Sequence, residues 1–392
     1  MSYNQYFQAK LSDLQAKNLY RQPKISVLPT QKLLNFCSND YLGLAQHRLV
    51  KNAAIKAIKQ HGLGSMASRY VFSGNSFHQK LEKEIAKLKK CDSAIALGSG
   101  YLSGVGIIPA LVNIGDLIIA DKLIHSSLID GCKLSGANLI RFKHNDIEHC
   151  RKILQIHKNK ENYKKILIIT ETVFSMDGDL GKVDELLLLA KENDCLLLTD
   201  DAHGLGVLKH QYKKYDGHLQ CGTLSKAAGG YGGYACGSNL IIDYLRNFTR
   251  TSIYSTALPA GILAANLQAI KIISKDQKLG KKALENAQYF LNLIQNKTST
   301  KDSFLADTKL LNFQIKHFNQ DLSTIVPIII GDAKKTLLIA KKLKQDGFLI
   351  SAIRPPTVEN GKSRLRITFC ANHKKKDIEK LAELIIKYCD PK

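Results

Sequence analysis

The stretch CLLLTDDAHGLGV, residues 195–207, joins an unbroken apolar run to two carboxylates, a histidine and a glycine turn. The run has strand length but lacks the alternation of a sheet with one wet face, the mark of a strand buried on both sides. The same form recurs in SAIAL (93–97), DLIIA (116–120), NLIRF (138–142), KILIIT (165–170) and ACGSNLII (235–242). Between these runs fall amphipathic segments: GYLSGVGIIPALV, HSSLIDGCKL, DIEHCRKILQIH and KVDELLLLAKEN. The alternation predicts an α/β fold with a largely parallel sheet, helices on both faces and right-handed crossovers.

Near residue 275 the pattern changes. KDQKLGKKALENAQYFLNLIQNK predicts one long surface helix. After it come LLNFQIK, TIVPIIIG, a helix over 332–346, FLISAI, RLRITF and a last helix over 375–389. This mixture predicts a smaller α+β domain with a more antiparallel sheet. At 392 residues the chain exceeds the size at which one core usually stops growing. The expected division is an N-terminal arm (1–45), a large α/β domain (46–274) and a C-terminal α+β domain (275–392).

Composition narrows the function classes. A hydrophobic fraction of 44% with 23% charged residues is that of a globular protein. No run approaches the roughly 18 to 20 uncharged apolar residues that cross a bilayer. The start, MSYNQYFQAKLSDLQAKNLYRQ, lacks the apolar stretch and cleavage site of a secretory signal. A cytoplasmic protein with no membrane contact is therefore expected. Nine scattered cysteines, with no CxxC pair and no zinc spacing, predict neither a disulfide framework nor a metal. The net charge of +23 would attract polyanions. Only ten of the 57 basic residues are arginine, however, and the lysines spread over the whole chain. No nucleic-acid-binding motif accompanies the charge, so compositional bias explains it better than a nucleic-acid partner.

In an open parallel sheet, ligands bind beyond the carboxyl ends of the strands. Asp200 and His203 follow CLLLT, where a carboxylate can hold a protonated ring nitrogen; Asp201 is the better turn cap. After KILIIT come Glu171 and Ser175, and after SAIAL comes GSGYLSG, leading into a helix. There Gly98, Gly100 and Gly104 let backbone approach an anion at a helix N-terminus, and Tyr101 suits a flat ring. His125, in IHSSLIDG, can lie flat on an aromatic ring. Read singly, each of these is as well explained as a turn or cap residue.

Lys226 weighs them together. It lies in CGTLSKAAGGYGG (221–233), among small residues that suit either a nucleotide-hydrolase loop or an imine-forming lysine. The hydrolase loop requires GxxxxGK[ST], but Ser225 precedes this lysine and Ala227 follows it. What remains is an amine whose reference pKa of about 10.4 must fall before it attacks at neutral pH. Thr223 and Ser225 stand ready for a phosphate. An imine lysine, a strand-end Asp, a stacking His and a glycine-rich helix start together specify a site for pyridoxal phosphate.

These residues resemble those of the α-oxoamine synthases, fold-type I pyridoxal-phosphate enzymes. The matching stretches run nearly end to end: SNDYLGL (38–44), HQKLE (78–82), ADKLIHSSLIDG (120–131), FKHND (142–146), ETVFSMDGD (171–179), DDAHGLGV (200–207), IYSTALP (253–259), AIRPPTV (352–358) and RLRIT (364–368). SNDYLGL, VFSMDGD and DDAHGLG are the most specific. AIRPPTV points to the oxononanoate branch, which uses L-alanine, rather than to glycine-using relatives such as glycine C-acetyltransferase and 5-aminolevulinate synthase or to serine-using ones.

The resemblance implies a fold-type I architecture with a seven-stranded sheet, and a homodimer with shared active sites. It implies that Lys226 holds the cofactor and moves the α-proton, that Asp200 pairs with the pyridinium, and that His203 and Ser175 hold the phenolic oxygen. His125 would stack on the ring. Gly100, Tyr101 and Thr223 would contact the cofactor, and Ser255 and Thr256 would reach the phosphate of the neighbouring subunit. Arg366 would take the amino-acid carboxylate, with Arg21, Asn39, Arg354 and Thr357 lining the substrate entrance. The acyl donor would be pimeloyl-CoA or pimeloyl-acyl carrier protein. Two departures stand out. Met66 and Ala67 replace glycines of the family in GSMASRYVFSG (64–74), and Glu359 replaces a proline after AIRPPTV.

Overall fold

A computed structural model describes residues 1–21, 33–72, 75–160, 163–209, 212–298, 314–315 and 323–389. The chain forms two compact units. The larger comprises Asn39–Ser175 and Asp179–Ala283; the smaller comprises Met1–Ser38, Met176–Gly178 and Leu284–Lys392.

Seven strands build the larger unit: β1 Ser93–Leu97, β2 Leu117–Asp121, β3 Asn138–Phe142, β4 Ile166–Glu171, β5 Leu196–Asp200, β6 His218–Thr223 and β7 Gly233–Gly237. Their order across the sheet is β1-β7-β6-β5-β4-β2-β3. β7 runs antiparallel to both neighbours, and the other pairs are parallel. Alternate residues feed two cores. Ile118, Leu167, Ile169 and Leu198 enter one; Leu117, Ile119, Ile168 and Leu197 enter the other, all fully buried. Burial of each such side chain stabilises the fold by roughly 1.5–3 kcal/mol, so an unbroken apolar run is what this two-faced position requires.

One reading of the sequence needs correction here, and one strand was missed. ACGSNLII is not one strand. β7 stops at Gly237, and the Ser238 side chain accepts from the Ile241 N–H to cap the helix Asn239–Phe248. Its buried residues are Ile242 and Leu245, a helical spacing that a short apolar run conceals. HLQCGT, which was not among the strand candidates, forms β6. Its His218 and Gln220 are buried and partnered: His218 Nε2 meets Thr199 Oγ1 at 3.0 Å, and Gln220 Nε2 donates to Cys91 Sγ at 3.3 Å.

The smaller unit contains an antiparallel sheet of β8 Gln314–Ile315, β9 Ile325–Gly331, β10 Ser351–Ile353 and β11 Ser363–Thr368, ordered β10-β11-β9-β8. Of LLNFQIK only Gln314–Ile315 is among the described residues. FLISAI divides: Phe348–Leu349 pairs in parallel with Leu34–Asn35, and only the second half joins the sheet. The helices Ala333–Gln345 and Lys375–Cys389 place Leu343, Leu381 and Ile385 against Ile328, Ile367 and Phe369.

Candidate active site

The carboxyl ends of β4, β5 and β6 lie side by side in register, with Glu171 opposite Asp200 and Asp200 opposite Cys221. Parallel pairing therefore brings two carboxylates together where the loops begin. Asp200 is buried, and Oδ1 accepts from the Ala202 N–H at 2.9 Å. Asp201 anchors the turn: its backbone carbonyl accepts from the Gly204 and Leu205 N–H groups, and Oδ1 accepts from Thr172 Oγ1 at 2.7 Å. Gly204 is required there, because a Cβ would stand 2.2 Å from Asp201 Oδ1.

That turn presents His203 to Lys226. Lys226 lies on the hairpin between β6 and the antiparallel β7, closed by Leu224 N–H to Gly232 carbonyl at 2.9 Å. Its Nζ lies 2.8 Å from His203 Nε2. His203 Nδ1 meets the Tyr41 hydroxyl at 2.5 Å, and that hydroxyl donates to Asn39 Oδ1 at 3.2 Å. The network assigns the proton positions: the lysine donates to Nε2, Nδ1–H donates to the phenol oxygen, and the phenol donates to Asn39. Thr223 Oγ1 donates to the Gly232 carbonyl at 2.9 Å and lies 2.7 Å from Ser225 Oγ.

Gly100 opens the helix Gly100–Leu111, which Ser99 caps by accepting from the Leu102 N–H. A Cβ on Gly100 would approach Thr223 Cβ to 2.9 Å, so only glycine lets these two elements meet. Tyr101 is half exposed, and its hydroxyl donates to Asp130. His125 caps the next helix, Ser126–Ser135. Its Nδ1 accepts from the Ser127 N–H and lies 2.8 Å from Ser127 Oγ, while its own N–H donates to Glu171 Oε1 at 2.5 Å. The residue as a whole keeps part of its surface open to solvent.

Burial and crowding of like charge set the protonation states. Glu171 is pushed well above the usual carboxylate range, first by burial and then by the charge of Asp200. Burial also raises Asp200, but the Lys226 cation and the Ala202 N–H oppose the rise. Two carboxylates in one dry place cannot both ionise cheaply. Glu171 is therefore pushed up the further of the two, while Lys226 and the Ala202 N–H hold Asp200 back toward its ionised form. Burial and the charge of Lys226 lower His125, against the pull of Asp200 and Asp130.

The family model for class I and II aminotransferases matches residues 31–385. An 8-amino-7-oxononanoate synthase from Beijerinckia indica is 40% identical over 393 residues, covering 96% of this chain and 95% of that protein. The chain belongs to the 8-amino-7-oxononanoate synthase family.

Among solved structures, an 8-amino-7-oxononanoate synthase from Francisella tularensis superposes with a TM-score of 0.72 at 29% identity, covering 91% of this chain and 97% of that one. A serine palmitoyltransferase from S. paucimobilis, with a bound PLP–myriocin aldimine, shares the fold at a TM-score of 0.84 and 21% identity, covering 98% and 96%. These matches agree with the expected α/β architecture and its seven-stranded sheet.

The residues of this synthase family member fit pyridoxal phosphate, the cofactor expected from the sequence. The larger unit gathers an amine, a buried carboxylate, a partly open histidine and a close Gly100–Thr223 approach. Ser175 is half-buried just beyond β4. Ser255 and Thr256 follow the helix Arg250–Ile253. Met66 adopts φ +58°, a left-handed conformation that favours glycine and explains the glycine usual at that place in the family.

In the smaller unit, Arg21 donates to Thr357 Oγ1 at 2.9 Å and Arg354 donates to the Asn18 carbonyl. The structure thus brings three of the four expected substrate residues of that unit together. The fourth, Arg366, is buried on β11 and donates to Thr368 Oγ1 at 3.0 Å. Burial, and then the neighbouring Arg21 cation, lower the Arg354 guanidinium below its usual range. Sequence reasoning left out Tyr41 and gave Glu171 no role. Both stood within quoted stretches, and the signal that would have found them is contact with His203 and His125.

Proposed function

We propose that this chain condenses L-alanine with a pimeloyl thioester, carried by coenzyme A or by an acyl carrier protein, releasing CO2 and the thiol to give 8-amino-7-oxononanoate. The observation that carries the reading is the meeting of the Lys226 amine and the Asp200 carboxylate with His203 and His125 at the carboxyl edge of β4–β6. When bound, pyridoxal phosphate supplies a carbonyl for amine attachment and a ring that spreads the charge of a deprotonated α-carbon.

The residues of the chain supply the rest. Lys226 Nζ would take the α-proton and return it, with His203 Nε2 at 2.8 Å placed to share that proton. Asp200 holds a proton at the ring nitrogen. His125 would flank the bound ring and help to keep water from it. Gly100 and Thr223, which approach each other closely, would hold the phosphate, and Ser255 and Thr256 of a second copy would complete that hold. Arg366 is assigned the carboxylate of the amino acid, on its motif match and on the planar fork of guanidinium.

Arg21 and Arg354 favour the pimeloyl donor over acetyl. Two neighbouring guanidiniums want an anion, and a pimeloyl chain ends in one while an acetyl group does not. The basic surface suits an anionic carrier of either kind, more so at low salt.

Titrating the cofactor-loaded protein with alanine and then glycine, followed by product analysis, tests the reading. A visible band that is lost in Lys226→Ala, responds to alanine and leads to 8-amino-7-oxononanoate supports it. A colourless protein, or turnover with glycine and an acetyl thioester, refutes it.

A further inference from the structure

Lys89 was one of many lysines in the sequence, and the structure sets it apart. It ends the helix Phe77–Lys89, its side chain is only 10% exposed, and its Nζ lies 2.6 Å from Asp201 Oδ2. Asp201 is 1% exposed and uses every polar atom it has. Oδ2 takes Lys89, Oδ1 takes Thr172 Oγ1, its N–H donates to the Cys221 carbonyl, and its carbonyl holds Gly204 and Leu205. This one residue therefore ties β4, β6, the His203 turn and the Lys89 helix together, directly beside Asp200.

The charges make the arrangement necessary. Asp200, Asp201 and Glu171 are three consecutive or register-paired acids, all buried. Buried acids of one sign drive one another to take up protons unless cations balance them. Asp200 is faced by Lys226, His125, Glu171, Asp201, the thiol of Cys221 and the phenol of Tyr234. Asp201 is faced by Lys89, by the phenols of Tyr212 and Tyr234 and by the thiols of Cys221 and Cys236, and Lys89 also by Cys91, Cys236 and the imidazole of His218. Lys226 is committed to the cofactor, which leaves Lys89 as the standing cation on this side.

We infer that Lys89 is a positioning residue for the reaction, pairing with Asp201 so that the adjacent Asp200 stays ionised and can hold the ring-nitrogen proton. This rests on the proposed function, and the two fail differently: a wild-type protein that shows no cofactor band refutes the function, whatever Lys89 does.

The test compares Lys89→Met, Lys89→Arg and Asp201→Asn in the full chain. In the loaded protein, Lys89→Met is expected to lower kcat about ten-fold, with KM for alanine changed less than about three-fold. The pH midpoint of the visible band should rise by about one unit, because a less protonated ring pulls less on the proton at Lys226. Asp201→Asn, which leaves the cation without its carboxylate, should move the midpoint the other way, and Lys89→Arg should restore it. In the cofactor-free protein, thermal unfolding should show Lys89→Met destabilised more at pH 8 than at pH 5, where a lone Asp201 can take a proton. Midpoints that shift the same way in Lys89→Met and Asp201→Asn, or a loss of melting temperature equal at every pH, would overturn the inference. If Lys89→Met does not fold, the Asp201→Asn shift and the Lys89→Arg spectrum decide it.

Discussion

Lys226 Nζ lies 2.8 Å from His203 Nε2, and every donor behind that contact points away from the lysine. The chain ends at Tyr41 and Asn39, so the tautomer of His203 is fixed by a phenol 162 residues away in sequence. Tyr41→Phe removes the acceptor of a buried N–H, a loss that costs about 1–3 kcal/mol. The expected result is a protein with normal cofactor content and a kcat reduced about ten-fold. Steady-state kinetics with alanine checks this, and an unchanged kcat would show that the phenol has no part in holding the histidine.

Glu171 and Asp200 are register partners; burial and the charge of Asp200 push Glu171 well up, while Lys226 and the Ala202 N–H oppose the rise that burial gives Asp200. Because the shift at Glu171 favours the neutral carboxyl, Glu171→Gln should leave cofactor affinity within about three-fold of wild type, the amide being close to that form. Glu171→Ala should instead strand the His125 N–H and destabilise the protein by about 1–3 kcal/mol. Equilibrium cofactor titration and chemical unfolding of both variants separate the cases.

His144 is held between Asp121 and Asp179, with Nδ1 at 3.0 Å from one carboxylate and Nε2 at 2.6 Å from the other. Burial opposes its charge, but these hydrogen bonds prevail and raise it to about 9 from 6.5. A histidine with a raised folded pKa stabilises fully below its unfolded pKa and loses that contribution as pH rises through the folded one. Thermal stability should thus decline between about pH 6.5 and pH 9, by up to about 3 kcal/mol at the upper end. In His144→Gln the decline over that window should flatten, as calorimetry at stepped pH would show.

Arg21 reaches Thr357, and its charge is felt at Arg354. If the pair receives the far carboxylate of the acyl chain, Arg21→Gln should raise KM for the pimeloyl thioester about ten-fold or more, a charge-assisted hydrogen bond contributing about 1.5–3 kcal/mol. The alanine-dependent spectral change should be unaltered. An acyl KM equal to that of wild type would remove the pair from the substrate path.

What the sequence made legible follows from how strands end. Asp200, His203 and Glu171 could be found because each closes or follows an apolar run whose burial forces the next polar residue toward the loops. Lys226 could be assigned its chemistry because the hydrolase spacing was absent. Tyr41 and Lys89 were not legible as partners, since the contacts that define them join residues more than a hundred positions apart. β6 escaped because His218 and Gln220 are polar residues buried with partners, which composition cannot distinguish from exposed ones. The strand reading of GSNLII failed for the opposite reason: four apolar-flanked residues show no period until the Ser238 cap declares a helix.

The antiparallel β7 makes one pairing that is local in sequence and one that is distant. Its pairing with β6 closes a short hairpin around Lys226, a contact that requires little chain to be ordered. Its pairing with β1, Leu97 against Gly233, joins the two sequence extremes of the sheet and closes a much longer stretch of chain. Gly100 follows directly after β1 and meets Thr223 where that edge docks. The lysine therefore sits on the most local pairing of this sheet, while the floor of its site depends on the most distant one.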